Sequence, residues 1–336
     1  VRVAWVLYGD LAQRTGGTIY DREVVEGLRR AGDEVRVVSL PGRLYRELRA
    51  FRPDVVVGDE LCFRELAIAF PMLGTRGPRR VLLVHHLTAW ETELSPLRRR
   101  VARIVESVAI RASDRIVTTS HATRNRLVTE GTHAAIDVVL PGADRLVRHE
   151  PRPAGDGEAE LAMVFVGSIV ARKRVLELIK AFGGVRGRLL LVGSTTRDPR
   201  YAGEVRALIA QLGIGARVVL TGEVDDAAVA RALASADVLA MPSSLEGYGI
   251  AATEAIHAGV PVIAARTPGL EEALSPCPDA VLFIDAHDPT ALTTTLTRFA
   301  SDTALRAAMR VAARAAAPNV PTWNACVAAF RAMLQR

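Results

Sequence analysis

Two glutamates separated by seven residues, Glu246 and Glu254, stand in the stretch AMPSSLEGYGIAATEA, residues 240–255. The apolar run Val238–Met241 predicts a strand. A polar loop with Gly247 and Gly249 follows it, and a helix is expected from about Gly249. Backbone N–H groups at a helix start bind anions, and the helix dipole assists. Gly247 and Gly249 have no Cβ, so a ligand can come close to the main chain. The carboxyl end of a strand is also where open α/β sheets bind ligands. Hydrolysis by the two carboxylates does not fit. On one helix they would lie about 12 Å apart along the axis, whereas hydrolase pairs stand about 5–9.5 Å apart. They are better suited to hold different parts of one elongated ligand than to serve as two solvated surface acids.

A second cluster runs from Gly167 to Arg174. A strand, Ala162–Val166, leads into Gly167, and Lys173 is expected to open the next helix. Basic residues at a helix start oppose its dipole, so Arg172, Lys173 and Arg174 suggest a bound anion. A guanidinium from Arg172 or Arg174 has the planar donors that suit phosphate. Gly16 and Gly17 follow the first strand and open the first helix, leaving room for a phosphate or an acceptor hydroxyl. His85 and His86 end the strand Arg80–Val84, and Asp59 and Glu60 end the one before it. These two acids are candidates for acceptor hydroxyls. His257, inside the motif helix, reads as packing. No aspartate cluster with metal-ligand spacing is visible along the chain.

Glu246 to Glu254 resembles the E-x7-E motif of the retaining glycosyltransferases of family 4, which have the GT-B fold. The surrounding elements resemble that family in the same order: Gly167 to Lys173, Leu191-Val192-Gly193, Thr221-Gly222-Glu223, Ala236-Asp237-Val238 and Gly259–Ala264. The likeness is close in the C-terminal half and looser in the N-terminal half. It implies that Glu254 holds the ribose hydroxyls of a nucleotide and that Glu246 lies by the donor sugar. Main-chain groups of Gly247, Tyr248, Gly249 and Ile250 would meet sugar and phosphates. The family clamps the diphosphate with G-R-x-x-x-x-K. Here Gly167 and Lys173 match, Ser168 replaces the arginine, and Arg172 or Arg174 would supply the missing charge. Gly222 falls among the donor-binding positions. The resemblance also implies a glycine-rich first loop at Gly16-Gly17 and a catalytic histidine at His85, with His86 in reserve on the acceptor side. His85, Glu246 and Lys173 are then the catalytic candidates.

Elements with a strict alternation must position these residues. Short apolar runs alternate with amphipathic stretches through most of the chain, which predicts a parallel sheet covered on both faces. The pattern breaks at His149–Glu160, HEPRPAGDGEAE, which reads as a linker, and restarts at Leu161. Two doubly wound, Rossmann-like α/β domains are expected, at 1–148 and 161–317, with linker 149–160 and a cleft between them. Pro318 and Pro321 interrupt the tail, and a last helix, Thr322–Arg336, should return to the N-terminal domain.

The 336 residues suffice for two such domains. Hydrophobic residues make up 49% and aromatics 5%, so Ala, Val, Leu and Ile carry the apolar weight. The net charge is +6; residues 1–150 hold 24 basic and 19 acidic groups, and the rest hold 19 and 18. Of the 43 basic residues only Lys173 and Lys180 are lysines, and an arginine-rich composition is the preferred account of the excess. Residues 96–111 set Arg98, Arg99, Arg100 and Arg103 among Leu97, Val101, Ile104 and Val108. Such a stretch can rest weakly on an anionic membrane; the preferred reading is a basic solvated face on a helix that packs in the core. Cys62, Cys277 and Cys326 are too far apart for a disulfide framework or a zinc site, and no signal peptide or membrane span is visible. A cytoplasmic protein is expected, peripheral at most to the inner membrane face. The expected reaction is metal-independent and needs no cofactor beyond a nucleoside diphosphate sugar as co-substrate. It would move the sugar to a hydroxyl of a sugar, lipid or small molecule, and no nucleic acid is involved. A nucleotide-sugar 2-epimerase and a non-catalytic nucleotide-sugar-binding protein are the alternatives; base, sugar, acceptor and oligomeric state stay open.

Overall fold

The computed structural model describes residues 1–42, 44–74, 76–150 and 160–336. It divides into two units, Val1–Pro141 with Thr322–Arg336, and Gly142–Pro321.

The first unit holds a parallel six-stranded sheet of β1 (Arg2–Tyr8), β2 (Glu34–Leu40), β3 (Val55–Asp59), β4 (Arg79–Val84), β5 (Arg115–Thr118) and β6 (Ala135–Val138) in the order β2-β1-β3-β4-β5-β6. Its helices are α1 (Gly16–Arg30), α2 (Leu44–Phe51), α3 (Phe63–Leu73), α4 (Pro96–Ala112) and α5 (His121–Thr129). The strands β1 and β3 are apolar and buried throughout their centres, as parallel strands covered on both faces must be. Helix α1 starts on a capping box in which Thr15 accepts from the Thr18 N–H.

The second unit repeats the plan with β7 (Leu161–Val166), β8 (Gly187–Val192), β9 (Val218–Gly222), β10 (Val238–Met241), β11 (Val262–Ala265) and β12 (Val281–Ile284), in the order β12-β11-β10-β7-β8-β9. Helices α6 (Val175–Gly183), α7 (Pro199–Gln211), α8 (Asp226–Ala234), α9 (Ile250–His257), α10 (Pro268–Leu274), α11 (Ala291–Ser301) and α12 (Thr303–Ala316) cover it. Two apolar clusters form its core, one around Phe165, Phe182 and Phe299 and one around Leu239, Ile256 and Leu270. The strand order reverses beside β7, so the carboxyl ends of β7 and β10 flank a topological switch point, the usual place for a ligand in such sheets.

The final helix, α13 (Trp323–Leu334), belongs to the first unit. Its Phe330 ring lies 5.2 Å from Trp5 of β1, and Trp323 lies 6.0 Å from Tyr20 of α1. The divisions differ from the expected ones by a few residues. Residues 142–148 and 318–321 go with the second unit, because Ala143 and Leu146 pack in its core with Val320 and the Ala143 N–H donates to Pro321 O at 2.9 Å. Of the expected linker, residues 151–159 lie outside the described residues.

Candidate donor and acceptor sites

In the second unit two loops meet at the switch point. One follows β7 and carries Gly167 to Arg174; the other follows β10 and carries Glu246 to Gly249. They are joined by the Ser244 N–H, which donates to Arg172 O at 2.8 Å. Lys173 Nζ reaches Glu246 Oε1 at 2.5 Å, and Arg172 Nη1 lies 4.0 Å from Glu246 Oε2 while donating to Leu245 O at 3.2 Å. Burial pushes the Glu246 carboxyl up, but Lys173 and Arg172 together hold it below its ordinary value. Burial draws the Lys173 ammonium down, an effect that Glu246 opposes and Arg172 reinforces. The two side chains form a buried ion pair with a second cation alongside.

The sequence placed Lys173 at the start of a helix; the structure places it in a 3-10 turn, Ala171–Lys173, and α6 starts at Val175. Arg174, at φ +53°, separates the two. That backbone kink sends Arg174 away from Glu246, to Ala286 O at 2.5 Å and Glu177 at 3.6 Å. Arg172, not Arg174, is thus the guanidinium beside Lys173 and Glu246. Ser168 lies in the turn after β7, where its carbonyl accepts the Val170 N–H at 3.0 Å. The Gly167 N–H donates to Val192 O, and Gly222 O accepts from Gly193, so Gly222 sits two strands away along the same edge.

Glu246 precedes α9, and Gly247, buried Tyr248 and Gly249 carry the chain from it into Ile250, the first helical residue. Gly249 has φ +108°, and a Cβ there would come within 2.5 Å of Leu270 Cδ2; no other residue type fits both constraints. Glu254 lies one turn further on, 2% exposed. Its carboxylate meets Arg145, a residue the sequence reading passed over: Arg145 Nε lies 2.5 Å from Oε1, and Nη2 donates to Oε2 at 3.1 Å. Arg145 Nη1 also lies 2.7 Å from Asp226 Oδ1 at the start of α8. Burial pulls the Arg145 guanidinium down, and the two carboxylates more than reverse it.

In the first unit the ends of β1, β3 and β4 gather the other candidates. His85 Nε2 lies 3.6 Å from Asp59 Oδ2, and its ring stands edge-on to Tyr20 at 5.3 Å. A Cβ on Gly17 would come within 3.3 Å of that ring, so glycine lets α1 start directly against His85. Gly16 is the first residue of that helix. The Glu60 carboxylate accepts the N–H groups of His85 at 2.5 Å and His86 at 2.7 Å and lies 3.2 Å from His86 Nδ1. His86 Nε2 meets Glu91 Oε1 at 3.1 Å. Burial pushes Glu60 up, but His86 and His85 hold it below the usual range. Asp59 and Glu60 are both buried. Asp59 caps the Leu61 N–H at 2.8 Å, so both acids brace the His85–His86 corner.

Asp21 of α1, which no motif in the sequence marked, is fully buried beside them. Ligand atoms of Asp21, Asp59 and His85 lie within 4.8 Å of one another, a grouping that could hold a cation and that linear spacing did not reveal. Burial, then the charge of Asp59, hold the Asp21 carboxyl well above the usual range. The most direct signal for Asp21 was an acid at an otherwise core-facing position of α1.

A family model described as "Glycosyl transferases group 1" matches residues 149–316, half of the chain, and one described as "Glycosyltransferase Family 4" matches residues 22–145. A D-inositol 3-phosphate glycosyltransferase of Xylanimonas cellulosilytica is 30% identical over 244 residues, covering 68% of this chain and 58% of that protein. A GDP-mannose-dependent alpha-(1-6)-phosphatidylinositol monomannoside mannosyltransferase of Mycolicibacterium smegmatis is 29% identical over 272 residues, covering 74% and 68%. The chain spans only 58% and 51% of the length of the first two such relatives. Among solved structures, sucrose-phosphate synthase from Thermosynechococcus elongatus aligns over 99% of this chain and 98% of its own with a TM-score of 0.83 at 19% identity. HepE of Anabaena, solved with UDP and glucose, aligns over 100% of both chains with a TM-score of 0.80 at 18% identity. These likenesses carry the GT-B fold, and the family matches carry the assignment: the chain belongs to the group 1, family 4 glycosyltransferases.

Proposed function

We propose that the protein is a retaining glycosyltransferase that moves a sugar from a nucleoside diphosphate sugar to an acceptor hydroxyl. The observation that carries this reading is the Lys173–Glu246 couple with Arg172 beside it, at the carboxyl ends of β7 and β10. Two cations there would meet the diphosphate as it departs, when its charge is greatest. Glu246 would lie by the donor sugar, the main chain of Gly247 to Ile250 would meet sugar and phosphates, and Glu254 would take the ribose hydroxyls. In the first unit His85, held by Asp59 and flanked by Gly17, would serve the reacting sugar and the acceptor. With retention, the leaving phosphate would help deprotonate the acceptor, so the protein mainly positions and stabilises charge.

The relatives' names suggest where to begin. UDP-glucose and GDP-mannose head the donors, and inositol-bearing molecules, phosphorylated or lipid-linked, head the acceptors. Cytoplasmic residence belongs to the same proposal and is supported by three buried free thiols, Cys62, Cys277 and Cys326. The test is a thermal-shift screen of UDP-, GDP-, ADP- and TDP-sugars, since a ligand of the native state raises stability. Transfer with the best donor then follows, with the anomeric configuration of the product read by NMR. An inverted product removes the retaining mechanism. Epimerised donor formed without acceptor makes the protein a 2-epimerase, and tight binding without turnover makes it a binding protein.

A further inference from the structure

Helix α1 turns an acid into the core. Asp21 is 0% exposed, and neither of its carboxylate oxygens has a hydrogen-bond partner. His85 Nε2 is likewise buried and unpartnered. It lies 3.6 Å from Asp59 Oδ2, beyond hydrogen-bonding reach. Asp59 gives its other oxygen to the Leu61 N–H at 2.8 Å, which leaves Oδ2 to face the histidine. One ligand atom from each of these three side chains falls within 4.8 Å of the others. Trp5 Nε1, buried beside Asp21, is without a partner too.

Unpaired polar atoms inside a fold cost stability, and here they converge from α1, the end of β3 and the end of β4. Asp21 also feels the charges of Asp59 and Glu60, both acids. Glu60 is compensated by His86 and two backbone N–H groups. Among the described residues no lysine or arginine pairs with Asp21 or Asp59. A water would donate to both carboxylates and leave their charges buried without compensation. A sugar or a phosphate is too large for a carboxylate closed to solvent. A divalent cation is small, cancels both charges and takes one atom from each side chain.

We propose that Asp21, Asp59 and His85 bind a divalent transition-metal cation, zinc above all, within the first unit. An imidazole among the ligands suits zinc, and magnesium, which keeps several of its waters, suits so enclosed a place less. Trp5 Nε1 would donate to the Asp21 oxygen that the metal leaves free, the outer support that metal-bound carboxylates commonly receive. The cation would tie α1 to the ends of β3 and β4 and fix the His85 ring. It takes no part in the transfer, for Lys173 and Arg172, proposed to meet the diphosphate, belong to the other unit. Proton and cation compete for the same oxygens, so the raised Asp21 carboxyl belongs to the metal-free protein. This inference does not depend on the proposed reaction.

The experiment is calorimetric titration of untagged protein, stripped with EDTA and dialysed, with the chlorides of zinc, manganese and magnesium. One zinc per chain should bind, more tightly than manganese, with magnesium weakest. At about a hundredfold excess over its Kd, zinc should raise the melting temperature by about 5 °C. Asp21→Asn and His85→Ala should each weaken zinc binding by more than the roughly 10–100-fold that an outer-shell partner costs. Cys62→Ser, which removes the buried thiol that feels both acids, should bind zinc as the parent does. Co²⁺ bound in place of zinc should show visible absorption bands that His85→Ala abolishes. Should a variant fail to fold, the parent alone decides: absence of saturable zinc binding overturns the proposal. So does zinc binding that both Asp21→Asn and His85→Ala retain, since the ion would then lie elsewhere.

Discussion

Arg145 grips both oxygens of Glu254, with Nε 2.5 Å from Oε1 and Nη2 donating to Oε2 at 3.1 Å. The second glutamate of the motif is therefore not a bare acid on a helix but one half of a buried ion pair, with Asp226 as the guanidinium's further partner. The pair fixes the carboxylate before any ligand arrives, which the proposed grip on ribose hydroxyls would use.

Arg145→Met should leave Glu254 buried beside an apolar side chain. Breaking a buried pair from one side costs about 3–5 kcal/mol, which urea denaturation would read. Nucleoside diphosphate binding should weaken as well. The double variant Arg145→Met/Glu254→Gln should regain much of the stability without regaining the affinity. If the double variant binds as tightly as the parent, Glu254 does not hold the ribose.

The two glutamates should separate in calorimetry and kinetics. Glu254→Ala should weaken binding of the bare diphosphate and of the donor alike, by about 1.5–3 kcal/mol for each lost charged hydrogen bond. Glu246→Ala should spare the bare diphosphate and lower kcat, because in the proposed reaction Glu246 would act beside the reacting sugar. Identical profiles for the two variants would defeat this division of roles.

Lys173→Ala should lose most turnover at saturating donor, since in the proposed reaction it removes the cation that would meet the departing diphosphate. Arg172→Ala should cause a smaller loss and Arg174→Ala little, because Arg174 is turned to Ala286 and Glu177. Full turnover by Lys173→Ala, measured under steady state, would show the clamp to be misassigned.

Asp21 gives a pH signature of opposite sign to the usual carboxylate. Its folded value is raised, while in the unfolded chain it titrates near about 3.9. Above that pH the native state keeps a proton that the unfolded state has released, so stability falls as pH rises toward the folded value. Asp21→Asn removes this term. Its melting temperature relative to the parent should therefore climb from pH 4 to pH 8. A difference that is flat across that range would mean that Asp21 is ionised in the fold.

Activity should survive EDTA, because in the proposed reaction Lys173 and Arg172 would meet the diphosphate in place of a metal. The Asp21, Asp59 and His85 grouping makes the test a real one. Abolition of turnover by chelator and its rescue by Mn²⁺ or Mg²⁺ would contradict a metal-independent reaction.

What the sequence determined by itself was local. The apolar runs that predict strands, Arg80–Val84, Ala162–Val166 and Val238–Met241, have their counterparts in β4, β7 and β10 within one residue. Burial on both faces of a parallel sheet writes itself into consecutive residues. The loop from Glu246 to Ile250 was legible for the same reason, because its strand, glycines and helix start follow one another along the chain. The tertiary structure decided whatever depends on residues distant in sequence. Arg145 reaches Glu254 across 109 positions, and Asp21 meets Asp59 and His85 only where the ends of β1, β3 and β4 converge. The rotation of α4 is the clearest case. Periodicity states that an apolar stripe exists but not which way it faces. In α4 the inward Glu106 accepts the N–H groups of Thr88 and buried Ala89, and Leu97, Val101, Ile104 and Val108 are left exposed.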